Sequence, residues 1–283
     1  QIPPDGVGLN PLLQDPWMVI HPPILFSGFS SLVVPFAFGL AALAKNEYGE
    51  WIRRVFPWAI LSALTLGTGT ILGGYWAYKV LGWGGYWGWD PVENSSFVPW
   101  MISLALLHGA IIQRSKGGLQ RTNLALAILG YLLVLYGSFL TRSGVLGDFS
   151  VHSFSSLGIN GYLISFVVVF LVISVFLFVK RFKQIPGLNL TNNPFSKEIG
   201  LWTAMILLSA SALVTLIGAS SPLISRIWGE SSNVGIDYYS TTNYPIGVLI
   251  PLLMGMVPFI MWKGHDPRSL IKKGLHFLIK NCC

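Results

Sequence analysis

Apolar residues in this chain do not alternate with polar ones. They come in long runs, broken by short polar connections or connections rich in glycine and proline. A helix needs about 20 largely apolar residues to cross the hydrocarbon of a bilayer. Seven runs meet that length, at roughly 19–44, 56–80, 92–112, 123–141, 160–179, 199–217 and 245–262. Gly and Pro inside them do not argue against helices, because both are more frequent in membrane helices than in soluble ones. The pattern predicts an all-α, polytopic membrane helix bundle with about seven transmembrane helices. Residues 1–283 read as a single membrane domain, without a soluble domain or a clear internal repeat. Gly69 and Gly73 stand four apart, a spacing that predicts close helix packing.

Composition strengthens this reading. Of the 283 residues, 53% are hydrophobic and 10% charged, against about 25% charged in soluble proteins. The mean hydropathy is +0.62. A net charge of +7 could point to nucleic acid, but the basic residues sit in short clusters between apolar runs, which excludes that class. Of 18 Lys and Arg, all but Lys79, Arg142 and Arg226 fall in one alternate set of connections. Basic residues gather on the cytoplasmic side of membrane proteins. The expected orientation therefore has the N-terminus outside and the C-terminus in the cytosol. The connection at 81–100 and the one around residue 152 then lie on the outer face. Cys282 and Cys283 are adjacent, so they imply no disulfide framework. No CxxCH haem-attachment sequence occurs. The chain begins at Gln1 and shows no signal peptide, which raises the expectation of a fragment or a processed chain.

The candidate chemistry lies in LGWGGYWGWDPVENSSFVPW, residues 81–100. Trp17, Trp51, Trp58, Trp202 and Trp262 suit ordinary interfacial anchoring. The 81–100 stretch does not, because an anchor has no need of so many rings on one connection. Nine of the 26 residues from Tyr75 to Trp100 are aromatic, against 13% in the whole chain. Rigid rings separated by glycines make a platform for a large, flat, apolar ligand. Asp90 reads as an N-cap, Pro91 as the first helical residue, and Glu93 as the partner in a capping box.

W-G-G-Y-W-G-W-D-P-V-E-N at 83–94 resembles the tryptophan-rich WWD signature of haem-handling proteins in cytochrome c maturation. Its continuation, P-V-E-N-S-S-F-V-P-W, is similar to the CcmF and NrfE family rather than to CcmC or CcsA. L-N-P-L-L-Q-D-P at 9–16, I-H-P-P at 20–23, T-R-S-G-V-L at 141–146, V-H-S-F at 151–154 and N-Y-P-I-G-V-L-I-P at 243–251 fit the same family. Tyr86 departs from it by standing where the family usually has Trp. The resemblance implies a cytochrome c haem lyase subunit in a bacterial inner membrane, with its active loop on the periplasmic side. Its implied partners are a haem-loaded CcmE-type chaperone, a CcmH-type thiol subunit, apocytochrome c and membrane lipid. Haem would rest on Trp83, Tyr86, Trp87, Trp89 and Asp90, with His21 and His152 as its iron ligands. The vinyl groups would meet the CxxCH thiols of apocytochrome c, where thioethers form.

By residue type alone, His21 is either a polar residue at a helix start or a ligand, oriented by Pro22 and Pro23. His152 is a loop histidine that spacing would not select. His108 lies within LALLHGAII, where an ionisable side chain at membrane depth is costly and usually functional. A histidine hydrogen-bonded inside the bundle is the alternative. The resemblance makes His108 a ligand of a second haem, a haem b, whose partner histidine in the family lies beyond residue 283. His265 and His276 read as solvated in the cytosolic tail. Arg142 fits a haem propionate and a snorkelling helix end equally well. Two further functions compete: a haem exporter that loads a chaperone without forming thioethers, and a non-haem transporter with an aromatic mouth. The spans hold almost no acidic or basic residues with which to couple ions, which disfavours the transporter.

Overall fold

The computed structural model describes residues 8–81, 85–150, 152–154, 158–187, 189–260 and 262. Trp83, the two histidines of the C-terminal tail and both cysteines lie outside them. Helix ends follow local chemistry. Helix α1 (Pro16–Ser31) starts with Pro at the first position, and Asp15 accepts a hydrogen bond from the Trp17 N–H at 2.9 Å. Helix α2 (Val33–Lys45) follows after a break at Leu32 and ends on Asn46 in the left-handed region, φ 60°. The break has a cause in the sequence. Pro35 has no N–H for the Ser31 carbonyl, and its ring crowds that turn.

Helix α3 (Trp51–Val80) is followed by α4 (Pro91–Lys116), α5 (Gln120–Arg142), α6 (Asn160–Arg181) and α7 (Lys197–Ala219). A short α8 (Ser221–Ser225) leads to α9 (Ile236–Met256). No strand occurs among the described residues. Counting α1 and α2 as one, seven helices are long and apolar enough to cross a membrane, so this is a multi-pass membrane protein.

Helix α4 is the centre, packing on α3, α5 and α7. Helix α1 lies along α3, α9 lies on α7, and α6 lies on α5 and α2. Glycines allow the closest approaches. A Cβ at Gly69 would come within 2.8 Å of the Leu25 backbone, so the 69–73 spacing does serve the α1–α3 contact. At Gly109 it would collide with Asn123 Oδ1 and approach Met205. Buried Asn123 also donates to the Gln113 side chain at 2.7 Å, which ties α5 to α4. Helices α6 and α9 leave their apolar faces almost wholly exposed, as lipid-facing helices do.

Two expectations change. Trp51 is not an interfacial anchor, because it is 4% exposed and belongs to the core between α2, α3 and α4. The last span begins at Ile236, nine residues before the apolar run at 245. Its first turns are polar, but the polarity is used against α7. Asn243 accepts from Ser211 Oγ at 2.7 Å and donates to Thr215 Oγ1 at 3.2 Å, and the Tyr238 hydroxyl donates to the Val214 carbonyl at 2.9 Å.

Candidate functional site: an aromatic loop flanked by histidines

The connection from α3 to α4 is pinned at both ends. On the α3 side, the Tyr86 carbonyl sits so close to Gly74 that a Cβ there would come within 2.7 Å of it. The Tyr86 ring stacks on Tyr78, with centroids 4.3 Å apart and planes 2° from parallel. On the α4 side, Asp90 Oδ1 accepts from the N–H of Val92 at 2.7 Å and of Glu93 at 3.4 Å. Glu93 Oε2 reaches back to the N–H of Gly88 at 2.9 Å and of Asp90 at 3.4 Å. The capping box expected from D-P-V-E is therefore formed, and it also fixes the loop that precedes it.

Asn94 fixes the rings. It is fully buried, donates to the Trp89 carbonyl at 3.0 Å, and accepts the Trp87 indole N–H at 3.3 Å. Trp89 is thereby held at φ 54°, a left-handed conformation that a large side chain rarely adopts and that must be enforced by its surroundings. Its indole lies flat on Tyr239 of α9, centroids 4.8 Å apart and planes 7° from parallel. Beside this pair a cleft of about 530 Å³ opens between α4, α7 and α9, walled by Phe97, Trp100, Met101 and Ile250 among others.

In each of the three described histidines Nδ1 is turned to an oxygen of this chain. His21 Nδ1 donates to the Trp17 carbonyl at 2.9 Å, and His108 Nδ1 to the Leu104 carbonyl at 2.7 Å. His152 Nδ1 faces Asp90 Oδ1 at 3.6 Å, an ion-pair distance longer than a hydrogen bond. Histidines that bind metals are typically oriented this way, with the second nitrogen setting tautomer and direction. His21 and His108 thus have Nδ1 committed to a carbonyl of their own helix, whereas His152 faces a carboxylate.

Position separates the three. His21 stacks on Trp76 of α3, centroids 5.8 Å apart and planes 25° from parallel, and its ring edge faces Gly73. A Cβ at Gly73 would lie 3.1 Å from the His21 ring. His152 lies beside Asp90, where the aromatic loop enters α4. His108 is half-buried on α4, on the stripe it shares with Phe97, Met101 and Leu104. Among the described residues no cluster of three or more His, Cys, Asp or Glu could hold a bare metal ion.

Electrostatics tie His152 to α4. Burial works against its charged form, but the carboxylates of Asp90 and Glu93 outweigh that and raise its pKa above the ordinary 6.5. For Asp90, burial pushes upward, yet His152 and Ser150 beside it hold the carboxyl below its usual range. Arg142 is exposed and lies over the Phe154 ring, 4.2 Å from its centroid, where it braces the loop that carries His152.

Residues not singled out from sequence complete the site. Lys79 pairs with Asp15 at 2.8 Å, and the Trp76 indole N–H donates to the Leu12 carbonyl at 3.2 Å. Together they clamp the start of α1, and so His21, to the end of α3. Asn94, Ser150, Gly73 and Tyr239 were not recognisable individually. P-V-E-N carried the only signal, as a motif and not as a hydrogen-bond donor.

A family model for cytochrome C assembly proteins matches residues 1–146. The chain is 37% identical over 271 residues to the cytochrome c-type biogenesis protein CcmF of Escherichia coli (strain K12), covering 95% of this chain and 41% of that protein. It is 36% identical over 282 residues to the biogenesis protein ccl1 of Rhodobacter capsulatus, covering 99% and 43%. NrfE of Haemophilus influenzae is 36% identical over 273 residues, covering 95% and 42%. A solved cytochrome c heme lyase CcmF superposes with a TM-score of 0.73 at 31% identity, covering 93% of this chain and 40% of that one. The chain thus spans less than half the length of these relatives.

Proposed function

Because the chain belongs to the cytochrome c assembly protein family, we propose that it is a haem lyase subunit that holds haem as substrate for attachment to apocytochrome c. The observation that carries this reading is that the two histidines flank the aromatic loop, His21 against Trp76 at its α3 end and His152 facing Asp90 at its α4 end. Haem supplies the iron and the vinyl groups; an apocytochrome thiol adds S–H across each vinyl C=C, sulfur bonding to one carbon and hydrogen to the other.

The chain's own residues do the positioning. His21 and His152 present Nε2 to the iron, and so fix where the vinyl edge lies. Trp87 and Trp89 offer apolar area, and Tyr86, stacked on Tyr78, adds to it. Burial of apolar surface is worth about 25 cal/mol per Å². Misplacing a reacting group by about 1 Å can cost on the order of a hundredfold in rate. Asp90 acts through the loop and through His152. Arg142 sets the height of the His152 loop and leaves a charged edge for a haem propionate. His108 would hold a resident haem b together with a ligand outside this chain, its Nδ1 already committed to Leu104. The distribution of basic residues supports a periplasmic aromatic loop in a bacterial inner membrane, where a CcmE-type chaperone, a CcmH-type thiol subunit and apocytochrome c would meet it.

The test is haem absorption and holocytochrome c yield for His21→Ala, His152→Ala and the double variant in the intact maturation system. Each single change should lower both, and the double change more. Normal yield with an unaltered spectrum in the double variant removes the ligand assignment. Haem retained and passed to the chaperone, with normal holocytochrome c formation, would favour the exporter reading.

A further inference from the structure

One carboxylate oxygen joins the start of α4 to the histidine loop. Asp90 Oδ1 accepts two backbone N–H groups of α4 and also the Ser150 hydroxyl, at 2.7 Å. The same Ser150 oxygen accepts the His152 backbone N–H at 3.1 Å. Ser150 is 9% exposed, and its own N–H is fixed on the Leu146 carbonyl at 2.9 Å. The His152 ring then lies with Nδ1 toward Asp90 Oδ1 at 3.6 Å. Beyond the ring, the Phe154 N–H bonds the Thr141 carbonyl at 3.0 Å, and Arg142 covers the Phe154 ring. Backbone and ring of His152 are therefore both referred to the α4 cap.

From this geometry we propose that Asp90, through Ser150, is the positioning residue for His152 and makes the two outer ligands inequivalent. The proposal rests on the reading of His152 as an iron ligand. His21 leans on a neutral backbone carbonyl, whereas His152 faces a carboxylate. A carboxylate behind an imidazole keeps the proton on Nδ1, makes Nε2 the more basic donor, and fixes ring orientation. Such a ligand stabilises the more highly charged iron and lowers the reduction potential, one of the means by which a protein tunes haem. The sequence reading of Asp90 as a cap is correct but incomplete. Glu93 acts on His152 by charge alone, because its Oε2 is committed to the backbone N–H groups of Gly88 and Asp90.

The cap and the positioning role separate experimentally, because Asn caps a helix about as well as Asp does. At a pH well above the His152 midpoint, where the ring is neutral, Asp90→Asn should leave thermal melting of the haem-free, detergent-solubilised chain unchanged. In the haem-loaded protein it should speed haem loss to apomyoglobin by about 10- to 100-fold, the usual effect of removing an outer partner of a metal-bound histidine. It should also raise the reduction potential. Ser150→Ala should move both readouts in the same direction by less. With His152→Ala already present, Asp90→Asn should change neither rate nor potential further. An unchanged rate and potential in Asp90→Asn, or the same acceleration in the His152→Ala background, overturns the positioning role and leaves His152 as a ligand. If His152→Ala itself alters neither spectrum nor rate, the ligand reading falls, and the positioning role with it.

Discussion

His152 is the residue whose chemistry depends most on its surroundings. By type it is a loop histidine that spacing would not select, and only the V-H-S-F resemblance marks it. In the fold it faces Asp90, which lies 62 positions earlier, and it is half-buried. Asn94 is similar: its place in P-V-E-N is visible, but its two hydrogen bonds to Trp87 and Trp89 are not. Local chemistry was legible because a capping box needs only a spacing of three residues, whereas the Asp90–Ser150 and Asp15–Lys79 contacts join positions 60 and 64 apart. One prediction belongs at this scale. In the haem-free protein His152 should titrate above 6.5, because Asp90 and Glu93 outweigh burial. A raised folded-state pKa means that the ion pair stabilises the fold fully below about pH 6.5. That contribution is lost as pH rises through the higher, folded-state value. Histidine-labelled NMR should show the raised midpoint and its fall in Asp90→Asn; a midpoint at or below 6.5 in the parent chain contradicts it.

The elements were legible in proportion to how apolar they are. The apolar runs marked α3 to α7 because lipid-facing and buried faces are both hydrophobic. They hid the start of α9, where Tyr238, Tyr239 and Asn243 spend their polarity on α7. The break at Leu32 was missed for a different reason: both halves are apolar, and only Pro35 marks the joint. Glycine spacing did find the α1–α3 seam, and that gives the element-scale prediction. Gly69→Ala places a Cβ 2.8 Å from the Leu25 backbone, which cannot swing aside as a side chain could. Overpacking of this kind costs about 1–3 kcal/mol. A thermal melt in detergent should fall accordingly and should show weaker haem binding, since His21 rides on α1. Gly161→Ala in α6 is the control, because nothing lies within 4 Å of a Cβ there, and it should melt no lower than the parent. Equal melts for the two variants would mean that the seam tolerates separation.

At the scale of the whole molecule, the basic residues make a prediction that the helices alone do not. All but three of 18 Lys and Arg belong to one set of connections. Single cysteines placed in 142–158 should react with a membrane-impermeant reagent added from the periplasmic side, and those in 114–121 should not. The reverse pattern would put the aromatic loop in the cytosol and remove its access to secreted apocytochromes. The order of helix packing also explains how little of the site was visible as a unit. His21 stands on α1, Trp76 and Gly73 on α3, Asp90 at the cap of α4, His152 beyond α5, and Tyr239 on α9. Of these only His21, Asp90 and His152 were read from the sequence as site residues, and only the antiparallel arrangement of the spans brings them to one end.

On the proposed function, the orientation of His21 has a further consequence, because the protein must let go of what it holds. Its Nδ1 is occupied by the Trp17 carbonyl of its own helix, so the ring direction is fixed before any ligand arrives and persists after it leaves. Orientation is thus a property of the empty fold, and little binding free energy goes into ordering the ligands. Arrival and departure then become the same geometric event run in opposite directions. A dock built in this way returns to readiness at the moment of release, without a separate resetting motion between one cargo and the next.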